Sequence, residues 1–249
     1  INNTAINTNG DTEIQCGEAS AFTGTIDCSS NSISDMTGIE AFTSLTSLLC
    51  HNNSIGTLNV GTLTALTNLE CFQNSLTAID LSNNTALTIL SIRENQLTSL
   101  DVSNNVNLTY IGCHYNQLTS LDVSNNTQLT ELYCNDNNLS TLNVNNTNNA
   151  NFIGFNANNN LNLTCIQIDA AFTPPSNGTW VKDVTASYSD NCAALNSDDF
   201  EITSPISLYP NPVQNRVTIQ SKKELTRIEL YTLSGQKILM NVIDNNIDM

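Results

Sequence analysis

Basic residues are almost absent from the first four fifths of this chain. Residues 1–204 carry 19 Asp and Glu against Arg93 and Lys182 alone, a net of −17, whereas residues 205–249 carry five basic and four acidic residues, a net of +1. So acidic a segment repels nucleic acid and anionic lipid and suits cations or basic partners. Aromatic residues are also scarce, at 6% with one Trp, and charged residues reach only 12%, which is poor material for the core of a compact enzyme of 249 residues. There are two His, and no GxSxG, HExxH, P-loop or dinucleotide fingerprint; Ser234-Gly235 reads as a turn. Glycoside hydrolysis needs little more than two carboxylates, but it also needs a cleft. A glycosidase, or an accessory part of a carbohydrate-active enzyme, therefore stays an alternative to the expected non-enzymatic chain. No apolar run approaches the length of a membrane span. The chain opens at Ile1 with neither Met nor a signal-peptide pattern, so a processed or partial chain is expected.

What is abundant is repetition. Leu108 to Gln128 reads LTYIGCHYNQLTSLDVSNNTQ, and its neighbours LTILSIRENQLTSLDVSNNVN and LTELYCNDNNLSTLNVNNTNN keep the same pattern at a period of 21 residues. A fixed period of that length implies a solenoid, in which each rung buries its Leu and Cys only against the next. Alternation on a short strand sends Ile111 and Cys113 inward and Tyr110, Gly112 and His114 outward. Two columns follow: an inward one of Cys28, Cys50, Cys71, Ile92, Cys113, Cys134 and Phe155, and one of Asn31, Asn53, Asn74, Asn95, Asn116, Asn137 and Asn158 where the chain leaves the strand. A buried amide there can bond the backbone groups of the neighbouring turn.

These columns resemble the leucine-rich repeat family (LxxLxLxxNxL), with Cys often replacing the last strand Leu, over roughly residues 26–164. The resemblance implies a mostly β solenoid of about seven repeats with a cap at each end. The segment TIDCSSNSISDMTGIEAFTSL is similar to the opening repeat of secreted internalin-like bacterial proteins. Before it, Asn7, Asn9, Asp11, Glu13 and Glu18 have the spacing of an EF-hand or dockerin calcium loop. The alternative is a capping turn in residues 1–25 whose Ile14 and Cys16 plug the first rung. Residues 165–204 resemble the C-terminal cap and linker of Bacteroidetes leucine-rich repeat proteins, and that resemblance implies a Cys165–Cys192 disulfide. The five column cysteines read as free, buried, small apolar residues rather than a disulfide ladder, since in-register side chains stack side by side. Zinc is not expected, because alternation points Cys50 and Cys113 inward but His51 and His114 outward.

Residues 205–249, with SLYPNP and IELYTLSGQKI, resemble the type A C-terminal sorting domain of the type IX secretion system of Bacteroidetes; a small β-sandwich binding domain is the alternative. The resemblance implies export to the cell surface or medium through that machinery, and one further strand beyond Met249. Function then falls on the outward strand columns, which are expected to line the concave face. They end in Phe152, Gly154 and Asn156, and at mid-array they hold Phe72, Arg93, Tyr110, His114 and Tyr133, with Tyr115 close behind. Aromatic and Arg side chains anchor binding out of proportion to their number, so this patch is the candidate site for a protein or glycan ligand, as in an adhesin. Its competing reading is cross-strand packing, in a structural spacer without a specific ligand. A monomer is expected. On another side, Asp80, Asp101 and Asp122 stack one rung apart and call for a cation or for local N–H and hydroxyl partners such as Ser103 and Ser124.

Overall fold

The computed structural model describes Ile6, Thr8, residues 14–192 and, as backbone strands alone, residues 207–209, 216–220, 230–231, 237–238, 241–243 and 246–248. The chain forms two units, Ile1–Leu195 and Asn196–Met249. In the first unit one strand recurs per rung: β1 Thr25–Asp27, β2 Ser47–Leu49, β3 Asn68–Glu70, β4 Ile89–Ser91 and β5 Tyr110–Gly112. Next come β6 Ser120–Asp122, β7 Glu131–Tyr133, β8 Thr141–Asn143, β9 Gly154–Asn156, β10 Cys165–Gln167, β11 Trp180–Val181 and β12 Ser187–Ser189. Strands β1, β2, β3, β4, β5, β7, β9 and β11 pair in that order in one eight-stranded sheet, and β6, β8, β10 and β12 form a four-stranded sheet. All pairs in both sheets are parallel. In the eight-stranded sheet the middle residue of each strand from β2 to β9 is buried between the two sides of the coil. Leu48, Leu69, Leu90, Ile111 and Leu132 form that buried row.

Behind the strand the thiol column continues the core: Cys50, Cys71, Ile92, Cys113 and Cys134 are fully buried. None of these cysteines is in a disulfide. Burial pushes the Cys50 and Cys113 thiols up to about 12, and those of Cys71 and Cys134 well above the usual range. They therefore pack as small apolar groups. The amide column follows directly. The Nδ2 of Asn116 donates to the carbonyls of Ile92 and Cys113 at 3.1 and 3.0 Å, and its Oδ1 accepts from the Leu97 N–H at 3.0 Å. Asn53, Asn74, Asn95 and Asn137 make the same bridges to the rung before. One residue ahead of each amide the backbone is left-handed, at Asn52, Gln73, Glu94, Tyr115 and Asp136, all with φ near +54°. Such a conformation costs about 1 kcal/mol outside glycine, and the amide bonds that follow hold it.

The expected register fails at the last repeat. Two extra residues lie in the turn after Val144, where Asn149–Asn151 forms a 3-10 helix, and the next strand slides accordingly. Phe155 then pairs with Leu132 rather than following Cys134; Ala157 takes the thiol column, and Asn160, not Asn158, takes the amide column. Phe152 turns inward and is buried, so the outward columns end in Gly154, Asn156 and Asn158.

Both ends are covered. At the start, α1 (Cys16–Ala21) is held by Glu18, whose carboxylate accepts from the N–H of Thr8 at 2.7 Å and of Gln15 at 3.1 Å. Ile6 and Ala19 are buried here, Ile14 is half-buried and Cys16 is exposed, so Cys16 does not plug the first rung. Exposure is cheap for Cys16 because it opens a helix whose buried residue is Ala19. Asn7, Asn9, Asp11 and Glu13 of the calcium-like loop lie outside the described residues. At the far end Trp180 stacks on Phe155 at 4.3 Å between ring centroids, with Phe152, Phe172 and Tyr188 around it. A Cys165–Cys192 disulfide, with Cα atoms 5.7 Å apart, closes this end. In the second unit Ser207–Tyr209, Arg216–Gln220, Asn246–Asp248 and Asn241–Ile243 pair antiparallel in that order, and Leu230–Tyr231 pairs with Lys237–Ile238.

Candidate binding face on the eight-stranded sheet

The outward side of this sheet places the six candidate residues in two groups. In the first, the Arg93 guanidinium lies over the Phe72 ring at 3.9 Å and forms an ion pair with Glu94. His51, one rung earlier, stacks on the same ring at 4.2 Å and 5° between planes. In the second, Tyr110 and Tyr133 meet at 5.8 Å, His114 contacts Tyr133 at 6.4 Å, and Tyr115 contacts His114 at 5.6 Å. Tyr115 belongs to the left-handed turn rather than the strand and is 53% exposed, whereas the other five are half-buried.

Glycine decides how the two tyrosines lie. A Cβ on Gly112 would meet the Tyr110 hydroxyl at 2.7 Å, and one on Gly154 would collide with the Tyr133 hydroxyl. Each ring rests on backbone that only glycine leaves bare. Tyr133 also donates to a Glu131 carboxylate oxygen at 3.0 Å. Burial, then Glu131, raises the Tyr110 pKa, and burial, then the bond to Glu131, raises that of Tyr133, so both phenols stay protonated. Burial, with Arg93 adding to it, lowers the His114 pKa. Its Nδ1 is buried and accepts no hydrogen bond among the described residues, which fits a neutral imidazole at neutral pH.

Sequence reasoning did not single out His51, Glu131, Gly112 or Gly154 as parts of this face. The signal for His51 was its position one rung before Phe72 in the same outward column. That for the glycines was their place beside a tyrosine: Gly112 two residues after Tyr110 on the same strand, and Gly154 opposite Glu131 on the strand next to Tyr133.

The aspartate column has local partners. Asp80, Asp101 and Asp122 each accept the N–H two residues on, from Ser82, Ser103 and Ser124, at 2.9, 2.9 and 2.8 Å. No group of three or more His, Cys, Asp or Glu able to hold a metal occurs among the described residues, and none of their helices is long and apolar enough to cross a membrane.

Comparison with known proteins agrees with the fold. The family described as the endo-beta-N-acetylglucosaminidase EndoS LRR domain matches residues 11–126, and the secretion system C-terminal sorting domain matches residues 207–249. Among solved structures, the leucine-rich repeat domain of APL1B is 18% identical, covering 64% of this chain and 49% of its own with a TM-score of 0.50. The functional domain of InlJ from Listeria monocytogenes, which includes a cysteine ladder, is 27% identical over 70% of this chain and 54% of its own, with a TM-score of 0.39. An internalin, InlF, from the same organism is 22% identical over 70% and 50%, with a TM-score of 0.47. The chain spans about half the length of these structures. No curated protein sequence matches it.

Coil, repeat pattern and family matches together make this a leucine-rich repeat protein. It is one that carries the C-terminal sorting domain of the Bacteroidetes type IX secretion system, and so an exported protein, secreted or held at the outer surface.

Proposed function

We propose that this is a non-enzymatic recognition protein that binds a protein or glycan ligand through the outward face of its eight-stranded sheet, as an adhesin would. The observation that supports the reading is the pair of tyrosines on adjacent rungs, Tyr110 and Tyr133, whose hydroxyl ends lie against Gly112 and Gly154 and which are flanked by His114 and Tyr115. Rings fixed by backbone lose little conformational entropy on binding, and each such anchor contributes about 2 kcal/mol or more when it becomes fully covered. The type IX secretion machinery is the partner during export, through the sorting domain. A glycan-array and surface-protein pull-down screen of the full chain, run with and without calcium, tests the reading. Binding that disappears in the double variant Tyr110→Ala, Tyr133→Ala supports it, and binding that the variant retains sinks it.

A further inference from the structure

One part of the face holds a cation of its own. At Phe72, Arg93 and Glu94 a cation sits between an aromatic ring and a carboxylate. On the next rungs a ring and a carboxylate recur without the cation. Tyr110 and Tyr133 lie side by side, and Glu131 is held in place by the Tyr133 hydroxyl at 3.0 Å; Glu70, two rungs before Tyr110, accepts from the Asn68 amide at 3.2 Å. Neither Glu70 nor Glu131 forms an ion pair among the described residues.

Among the described residues no further group supplies the missing charge. Residues 1–204 hold only two basic side chains, and both are committed: Arg93 to Glu94 and Phe72, and Lys182 to the carbonyls of Asp183 and Ala186 at the far end of the coil. Glu70, Glu94, Glu131 and Asp136 thus outnumber the one guanidinium on this face, and the neutral His114 adds nothing to offset them. A cation held between a ring face and a carboxylate gains from both, and a net-negative surface draws it in. An uncharged sugar would use the rings but not the charge.

We infer that the Tyr110–Tyr133 part of the face takes the lysine or arginine side chain of a basic polypeptide segment, with Glu131 as its counter-charge and Glu70, on an earlier rung, adding to the negative field. This rests on the reading of the face given above and narrows it to one ligand class.

The probe is an end-capped nonapeptide with two lysines in a glycine-serine background. Its lysine-acetylated twin and a neutral oligosaccharide series serve as comparisons, titrated calorimetrically against the full chain. The lysine peptide is expected to bind, and acetylation to weaken it ~10-fold. Tyr110→Ala with Tyr133→Ala, and separately Glu70→Gln with Glu131→Gln, should each weaken it ~10-fold, in variants whose urea midpoints show them folded. Asp80→Asn with Asp101→Asn removes the same charge from another side and should change affinity less than about 2-fold. If that control weakens binding as much as the glutamate pair, attraction is diffuse and the inference fails. It fails equally if acetylation has no effect. Oligosaccharide binding that needs the tyrosines, with no peptide binding, overturns the cationic ligand but leaves the face as the site. Lysine-peptide binding indifferent to the tyrosines, or no binding by any probe, overturns both.

Discussion

The two sides of each rung obey different rules. On the turn side the residues repeat almost unchanged. Asp80, Asp101 and Asp122 each accept the N–H two residues on, and Asn84, Asn105 and Asn126 each donate to two carbonyls of the rung before. On the strand side the core and amide columns repeat, but the outward residue changes at every step, from Asn68 through Ile89 and Tyr110 to Glu131. A column that repeats is one that every rung needs in order to hold its neighbour. Freedom to vary is found where no rung depends on the side chain, and recognition can be written there at little cost in stability. Substitutions on the repeated columns should therefore change stability and leave binding alone, and substitutions on the outward columns the reverse.

The largest effect is expected in the strand-side amide column. Asn116→Ala removes the acceptor of the buried Leu97 N–H, while the carbonyls of Ile92 and Cys113 each keep a second amide donor, from Asn95 and Asn137. One orphaned buried donor plus two lost shared bonds should cost about 2–4 kcal/mol in urea unfolding of the full chain. The turn-side column should cost less. Asn105 Oδ1 has no partner among the described residues, and the Leu81 and Asn84 carbonyls it serves keep their backbone donors, so Asn105→Ala should lose about 1–2 kcal/mol. Equal costs in the two variants would remove the distinction between the columns.

Thiol chemistry sharpens the contrast between inside and outside. Alkylation of the native chain at pH 8 should modify Cys16 and spare Cys50, Cys71, Cys113 and Cys134, which should react only after unfolding. A disulfide ladder would instead leave those four unreactive in denaturant until reduced, a difference that mass spectrometry resolves. The smallest effect is that of acid. Hydrogen bonds from Ser82 and Ser103, side chain first and backbone second, hold the Asp80 and Asp101 carboxyls below their usual range. A depressed carboxyl contributes stability that is present above its unfolded pKa of about 3.9 and is lost as pH falls through the lower folded value. Between pH 6 and pH 2 the urea midpoint should therefore fall slightly less in Asp80→Asn, Asp101→Asn than in the unaltered chain.

Much of the architecture was legible because repetition makes each residue's neighbours known: Leu48 and Leu69 must face the same side if the period holds. That logic broke where the period broke. Two extra residues after Val144 carried Phe152 inward and moved Phe155, Ala157 and Asn160 into columns assigned to others, because strand pairing follows buried rows and not a count of residues. The second amide column at Asn84, Asn105 and Asn126 was equally repetitive in sequence, yet its role depends on carbonyl positions in a turn that periodicity does not specify. The candidate face was legible as columns, not as contacts. That Tyr110 would lean along its own strand to Gly112, or Arg93 reach back one rung over Phe72, is a matter of side-chain direction.

The most direct test of the division between scaffold and recognition puts three full-length proteins on one glycan and surface-protein array: the unaltered chain, Asn105→Ala, and Tyr110→Ala with Tyr133→Ala. Urea midpoints would be measured alongside. The account predicts that Asn105→Ala loses stability and keeps the parent's binding pattern, while the tyrosine variant stays within about 1 kcal/mol of the parent and loses that pattern. A tyrosine variant that unfolds as readily as Asn105→Ala yet binds as the parent does would contradict it.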